Sequence, residues 1–91
     1  MKRYLVIVEG RVQGVGFRGF ATIHAQRHHL TGSVRNLSNG MVEMFVQGED
    51  ADIDAFLAEV QKGDRFIRVD NLSVKPTAVV EGETKFRYHY Y

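Results

Sequence analysis

The stretch GRVQGVGFRGF, residues 10–20, decides how the amino-terminal part of this chain folds. It follows residues 4–9, an apolar run that predicts a central β-strand. It leads into apolar and histidine positions spaced three and four apart, which predict one face of a helix that ends near Gly32. Those positions are Phe17, Phe20, Ala21, His24, Ala25 and His28. The stretch is therefore a glycine-rich connection between a strand and a helix.

The remaining elements follow at regular intervals. Residues 33–37 predict a short strand, and residues 41–47 predict its return strand with Val42, Met44 and Val46 on one face. Asn39-Gly40 between them predicts a type I′ turn, which needs positive φ at both positions. A second helix is predicted between the acidic residues Glu49, Asp50 and Asp52, which suit its first turn, and Gly63, which suits its C-terminal cap. Residues 69–75 predict a strand that stops at Pro76, and alternation at residues 86–90 predicts a last strand.

The order β-α-β-β-α-β, with a terminal strand, predicts an α+β fold: a ferredoxin-like sandwich with an antiparallel sheet and two helices on one face. We expect residues 1–91 to form a single domain. In this topology strands 1 and 2 run parallel with strand 3 between them. The glycine stretch and Asn36 therefore meet at one edge of the sheet, although they are distant in sequence.

Candidate chemistry lies at that edge. Gly14 and Gly16 let backbone N–H groups approach an oxyanion closely, and the helix starting near Phe17 adds its positive end. Arg18 adds a planar fork suited to phosphate. A tight turn with an exposed arginine explains the same residues, and their spacing leaves both interpretations open. Asn36 is suited to hold a water molecule, or it is simply an asparagine flanking a turn.

Composition excludes several classes of function. The chain has no cysteine, which removes disulfides, thiolate metal sites and cysteine nucleophiles. The net charge of +1 is too small to indicate a nucleic-acid or membrane partner. Glu9 interrupts the amino-terminal apolar run, and the remaining run is too short for the apolar region of a signal peptide. We therefore expect a cytoplasmic protein. His24 and His28 have a metal-ligand spacing, but no third ligand has a motif-like position, so we expect no metal.

Three segments together resemble the acylphosphatase family: GRVQGVGFR (residues 10–18), GSVRN (residues 32–36) and NGMVEMFVQG (residues 39–48). The resemblance covers nearly the whole chain. It implies hydrolysis of carboxyl-phosphate anhydrides to a carboxylate and inorganic phosphate, with no metal or organic cofactor. It implies that Arg18 binds the phosphate and that Asn36 orients the attacking water. The implied phosphate-binding backbone is Gln13, Gly14, Val15, Gly16 and Phe17.

The sequence departs from the family pattern at Ser33, where an aromatic residue is common, at His29, where glycine is frequent, and at Asp64, where proline is common. These departures bear on packing and helix termination rather than on Arg18 or Asn36.

Three alternatives share the fold. RNA-recognition modules need several stacked aromatic residues on strand 3, which here has only Phe45. Acylphosphatase-like domains also lead larger carbamoyl-phosphate-using maturation enzymes, but no further domain follows Tyr91, so a separate enzyme is expected. A ligand-sensing regulatory domain is the third. We expect a monomer that acts on a small acyl phosphate, with no nucleic-acid or membrane partner.

Overall fold

The computed structural model describes residues 1–90, which form a five-stranded sheet and two helices. The strand order is β4-β1-β3-β2-β5. Strand β1 pairs antiparallel with both β3 and β4, and β2 pairs antiparallel with β3. Strand β5 pairs parallel with β2, so the sheet is mixed. This confirms the predicted ferredoxin-like α+β architecture. The elements are β1 (Lys2–Arg11), α1 (Phe17–Arg27), β2 (Thr31–Asn36), β3 (Val42–Gly48), α2 (Asp50–Lys62), β4 (Arg68–Thr77) and β5 (Phe86–Tyr88).

The core lies between the sheet and the two helices. Alternate residues of β1 and β3 point into it, as the period of two in a strand requires. The helices contribute residues three and four apart, including the small Ala21 and Ala25 of α1. Within residues 1–90, no helix is long and apolar enough to cross a membrane. The fully buried residues of β1, β3 and the helices include Val6, Val8, Val42, Met44, Val46, Ala21, Ala25, Phe56 and Val60.

Helix α1 ends at Arg27, earlier than the spacing of the sequence predicts. The His29 N–H donates to the Gln26 carbonyl at 3.1 Å, and the Leu30 N–H donates to the Ala25 carbonyl at 2.9 Å. This pair of bonds is the Schellman arrangement that closes a helix. His29 has φ of 58°, a left-handed conformation in which glycine is favoured. A histidine thus occupies a left-handed position that glycine would adopt without steric cost.

The β2–β3 hairpin differs from the predicted type I′ turn. Among the residues described, His29 is the non-glycine residue with positive φ, so Asn39 does not adopt the required conformation. The Leu37 N–H donates to the Met41 carbonyl at 2.9 Å, and Gly40 has φ of 92°. The loop is therefore a three-residue connection that ends in a left-handed glycine. The Asn39 side chain favours this geometry because its Oδ1 accepts the Met41 N–H at 3.0 Å.

Strand β4 lies at the edge of the sheet and runs through Pro76 instead of stopping there. Pro76 lies opposite Tyr4 of β1. Proline lacks an N–H but is tolerated on an edge strand, where ladder donors on one side have no neighbour.

Candidate active site

Residues 13–17, hereafter the glycine loop, connect the end of β1 to the start of α1. Gly14 and Gly16 have φ of 74° and 82°, so both adopt the left-handed conformation that glycine supplies. A Cβ atom at either position would meet nothing within 4 Å. Gly16 is the N-cap of α1, and no side chain caps this terminus. The first N–H groups of the helix have no intrahelical acceptor. The loop therefore faces open space with backbone donors.

Apolar side chains hold the glycine loop against the core. Phe17 is 1% exposed and Val15 packs against the buried cluster. The Phe17 ring also lies 6.0 Å from the Phe20 ring, centroid to centroid. Because the side chains of the loop point inwards, its backbone is what remains available to a ligand.

Gln13 links the glycine loop to the β2–β3 hairpin. Its Nε2 donates to the Leu37 carbonyl at 2.7 Å and to the Met41 carbonyl at 2.9 Å. Leu37 directly follows Asn36, so this side chain ties the loop to the segment that carries the asparagine. Sequence reasoning assigned Gln13 only a backbone role, because nothing in its spacing shows which carbonyls its amide reaches.

Arg18 lies in the first turn of α1, and its half-buried side chain is held by the carboxyl-terminal part of the chain. Its Nη1 donates to the His89 carbonyl at 2.7 Å, and its Cζ lies 4.9 Å from the centre of the Tyr88 ring. The His89 N–H in turn donates to the Val34 carbonyl of β2 at 3.0 Å. A guanidinium has five N–H donors, so most of them remain available to an anion. Sequence reasoning missed Tyr88 and His89; the alternation that predicted β5 does not indicate its pairing with β2.

Asn36 is the last residue of β2 and lies opposite Val42 of β3. Its Oδ1 is buried and has no hydrogen-bond partner among residues 1–90. Leaving a buried acceptor unsatisfied costs about 1–3 kcal/mol, so such an atom usually accepts from water or a ligand. Asn36 thus offers one acceptor at the end of the sheet where strands β1 and β2 finish, which is also where the glycine loop and Arg18 lie.

The two helical histidines have another function in the structure. His24 of α1 and His28, the C-cap of that helix, each contact one carboxylate oxygen of Glu59 on α2. The hydrogen bonds from His28 and then His24 lower the pKa of Glu59 below its ordinary value. Within residues 1–90, no group of three or more histidine or acidic residues is arranged to hold a metal ion. These residues join the helices.

A cavity of about 560 Å³ lies at the other end of α1, where its lining includes His29, Leu30 and Lys85. It is therefore separate from the glycine loop, which lies at the start of the same helix.

Comparisons with known proteins agree on one family. A family model described as Acylphosphatase matches residues 4–88. A Clostridium acetobutylicum acylphosphatase is 42% identical over 99% of this chain and 99% of its own length. A Geobacillus kaustophilus acylphosphatase is 46% identical over 99% of this chain and 96% of its own length. The crystal structure of acylphosphatase from Bacillus subtilis superposes with a TM-score of 0.93 at 38% identity, covering 99% of this chain and 100% of that one.

Proposed function

The chain belongs to the acylphosphatase family and hydrolyses acyl phosphates, and we propose that the glycine loop, Arg18 and Asn36 carry out this reaction. One observation carries the assignment of residues. An asparagine with a buried, unpartnered acceptor lies at the same edge of the sheet as an uncapped helix terminus with an arginine in its first turn.

The phosphoryl group binds at the glycine loop in this proposal. Backbone N–H groups of residues 13–17 and the positive end of α1 contact its oxygens. Arg18 contacts two of these oxygens through the N–H groups that His89 does not use. These donors are held in place before substrate arrives, so they stabilise the charge on the equatorial oxygens of the transition state without reorganising.

Asn36 positions the attacking water. The Oδ1 accepts one hydrogen of the water, which directs a lone pair of the water oxygen at phosphorus. The bond from the water oxygen to phosphorus forms as the bond from phosphorus to the carboxylate oxygen breaks. Gln13 supports this alignment because it joins the loop that holds phosphate to the hairpin beside Asn36.

The leaving group needs no acid. A carboxylate has a conjugate acid with a pKa of about 4, so it departs as an anion at neutral pH. An amide side chain cannot accept the proton of the water. We place that proton on an oxygen of the substrate phosphate, which leaves as inorganic phosphate. A turnover rate that followed a histidine pKa would contradict this route.

The proposal is tested by measuring hydrolysis of benzoyl phosphate by the purified chain. Arg18→Ala should lower kcat/KM by about 10³-fold, the scale for losing a main donor to transition-state charge. Arg18→Lys should also be poor, because an ammonium group lacks the planar fork. The matched control is Arg27→Ala, an exposed arginine in the last turn of the same helix, which should retain activity. Activity of Arg18→Ala within about threefold of wild type would exclude Arg18 from the reaction.

We also propose that the chain acts as a monomer in the cytoplasm. The edge strand β4 carries Lys75 and Pro76, features that discourage pairing with a second sheet. On the sheet face away from the helices, the Arg3 guanidinium covers the Phe45 ring at 5.0 Å, which disfavours base stacking by RNA. Light scattering across a hundredfold range of protein concentration should give the mass of one chain throughout, and a dimer mass would contradict the proposal.

A further inference from the structure

A second group of cations lies beside the glycine loop, and the reaction described above does not use it. A cavity of about 400 Å³ has a lining that includes Arg11, Lys62, Arg65, Arg68 and the aromatic ring of Phe66. These residues come from the end of β1, the end of α2 and the loop that leads into β4. We call this surface the basic cleft.

The basic cleft has more positive charge than its own acids neutralise. Arg11 of β1 lies directly opposite Arg68 of β4, and like charges in that position repel. Arg68 is paired with Asp70, whose Oδ1 lies 2.9 Å from its Nε. Within residues 1–90 the structure gives no ion pair to Arg11, Lys62 or Arg65.

Asp64, the acidic residue nearest in sequence to Lys62 and Arg65, accepts hydrogen bonds from backbone N–H groups. Asp64 Oδ1 accepts the Phe66 N–H at 2.8 Å and the Ile67 N–H at 2.9 Å. Gly63 has φ of 66°, and a Cβ there would collide with the Ile67 carbonyl. The loop is thus tightly folded, and it presents Phe66, 55% exposed, with the Arg65 Cζ 5.1 Å from the centre of its ring. An ordered loop loses little entropy when a ligand binds.

The position of the basic cleft relates it to the reaction. The pairing of β1 with β4 shifts between Glu9 and Gly10, where Asp70 of β4 is the extra residue, and a Cβ at Gly10 would collide with the Arg68 carbonyl, so the end of β1 lies close against Arg68. Arg11 precedes Gln13, the first residue of the glycine loop, by two positions, so their Cα atoms are at most about 8 Å apart. The basic cleft and the glycine loop therefore share one end of the molecule.

We propose that the basic cleft is a second anion subsite, which receives a negatively charged group on the acyl side of the substrate. This inference rests on the proposed function, because the phosphoryl group must occupy the glycine loop. Arg11 and Arg65, whose guanidinium groups have no ion-pair partner, would bind the second anion, and Phe66 would contact the carbon skeleton. The preferred substrates are acyl phosphates that carry a carboxylate or a second phosphate.

Two rigid substrates test the subsite: 4-carboxybenzoyl phosphate and 4-carbamoylbenzoyl phosphate. They have nearly the same shape, but the carbamoyl group is uncharged where the carboxylate is negative. The measured quantity is the ratio of their kcat/KM values, compared between wild type and variants, because this comparison cancels the difference in their intrinsic reactivity. Arg11→Gln combined with Arg65→Gln should lower the ratio about fivefold, the effect of losing about 1 kcal/mol of exposed charge pairing. In wild type, 0.5 M salt should reduce the ratio by a similar factor.

The control removes the same charge elsewhere. Arg27→Gln combined with Lys85→Gln changes two exposed cations near the far end of α1 and should leave the ratio unchanged. An unchanged ratio in the Arg11 and Arg65 variant would overturn the inference, as would an equal fall in the control. Hydrolysis of 4-carbamoylbenzoyl phosphate, which has no second anionic group, is a separate test of the proposed function. If wild type hydrolyses neither substrate, the proposed function fails and this inference fails with it.

Discussion

The unpartnered oxygen of Asn36 predicts opposite effects of one substitution on stability and on catalysis. Its Oδ1 is buried without a partner, a situation that costs about 1–3 kcal/mol when no water or ligand supplies a donor. Asn36→Ala removes that acceptor and also removes some packing. We therefore expect the free energy of unfolding to stay unchanged or to rise by up to about 1 kcal/mol. The water loses its positioning group, so kcat on benzoyl phosphate should fall about 10²-fold with phosphate affinity largely kept.

Asn39→Ala is the matched control in the same hairpin. Asn39 Oδ1 has a partner, the Met41 N–H at 3.0 Å, and the residue is exposed. Its loss should lower the free energy of unfolding by about 0.5–1.5 kcal/mol and leave kcat unchanged. Urea unfolding followed by circular dichroism, together with steady-state kinetics, measures both quantities. The reasoning is refuted if Asn36→Ala destabilises the fold as Asn39→Ala does while retaining kcat, since Asn36 would then have only a structural role.

Three further substitutions test the supporting structure. Gln13→Ala loses both hydrogen bonds to the hairpin carbonyls, so the free energy of unfolding should fall by about 1–3 kcal/mol and kcat should fall as well; full activity would disprove its positioning role. His29→Gly relieves a left-handed residue at the end of α1 and should raise the urea midpoint by the equivalent of about 0.5–1 kcal/mol. For Glu59, the lowered pKa means that its bonds to His28 and His24 stabilise the fold above the ordinary carboxyl pKa, and this stability is lost as pH falls through the folded-state pKa. Glu59→Gln should therefore be less stable than wild type at pH 6, and the difference should disappear in acid; a difference that grew in acid would contradict this account.

The fold was predictable because its signals are local. A continuous apolar run marks β1, alternation marks β3, three- and four-residue spacing marks both helices, and the observed bounds differ mainly at the ends of elements. Helix α1 ends early because His29 adopts a left-handed conformation that its residue type disfavours. The hairpin turn was predicted wrongly because the Asn39 side chain bonds the Met41 N–H and holds a different turn. Both differences depend on hydrogen bonds that residue spacing does not reveal.

The candidate site was predictable only in part. The strand order places the ends of β1 and β2 at one sheet edge, so the sequence could predict that Arg18 and Asn36 lie near each other. It could not predict that Tyr88 and His89 hold Arg18, because this contact needs β5 to pair parallel with β2. The basic cleft was missed for the same reason, since its arginines come from segments that are far apart in the chain.

By itself, the sequence determined the element order, the glycine-rich loop and the residue types that phosphate chemistry needs, because backbone conformation and hydrophobic periodicity act between near neighbours. Tertiary structure alone decided which carbonyls Gln13 and Arg18 contact, that Asn36 Oδ1 is buried without a partner, and that Arg11 faces Arg68. These are consequences of strand register and burial. Register joins residues from distant parts of the chain, and burial turns an ordinary asparagine into an acceptor that needs a donor.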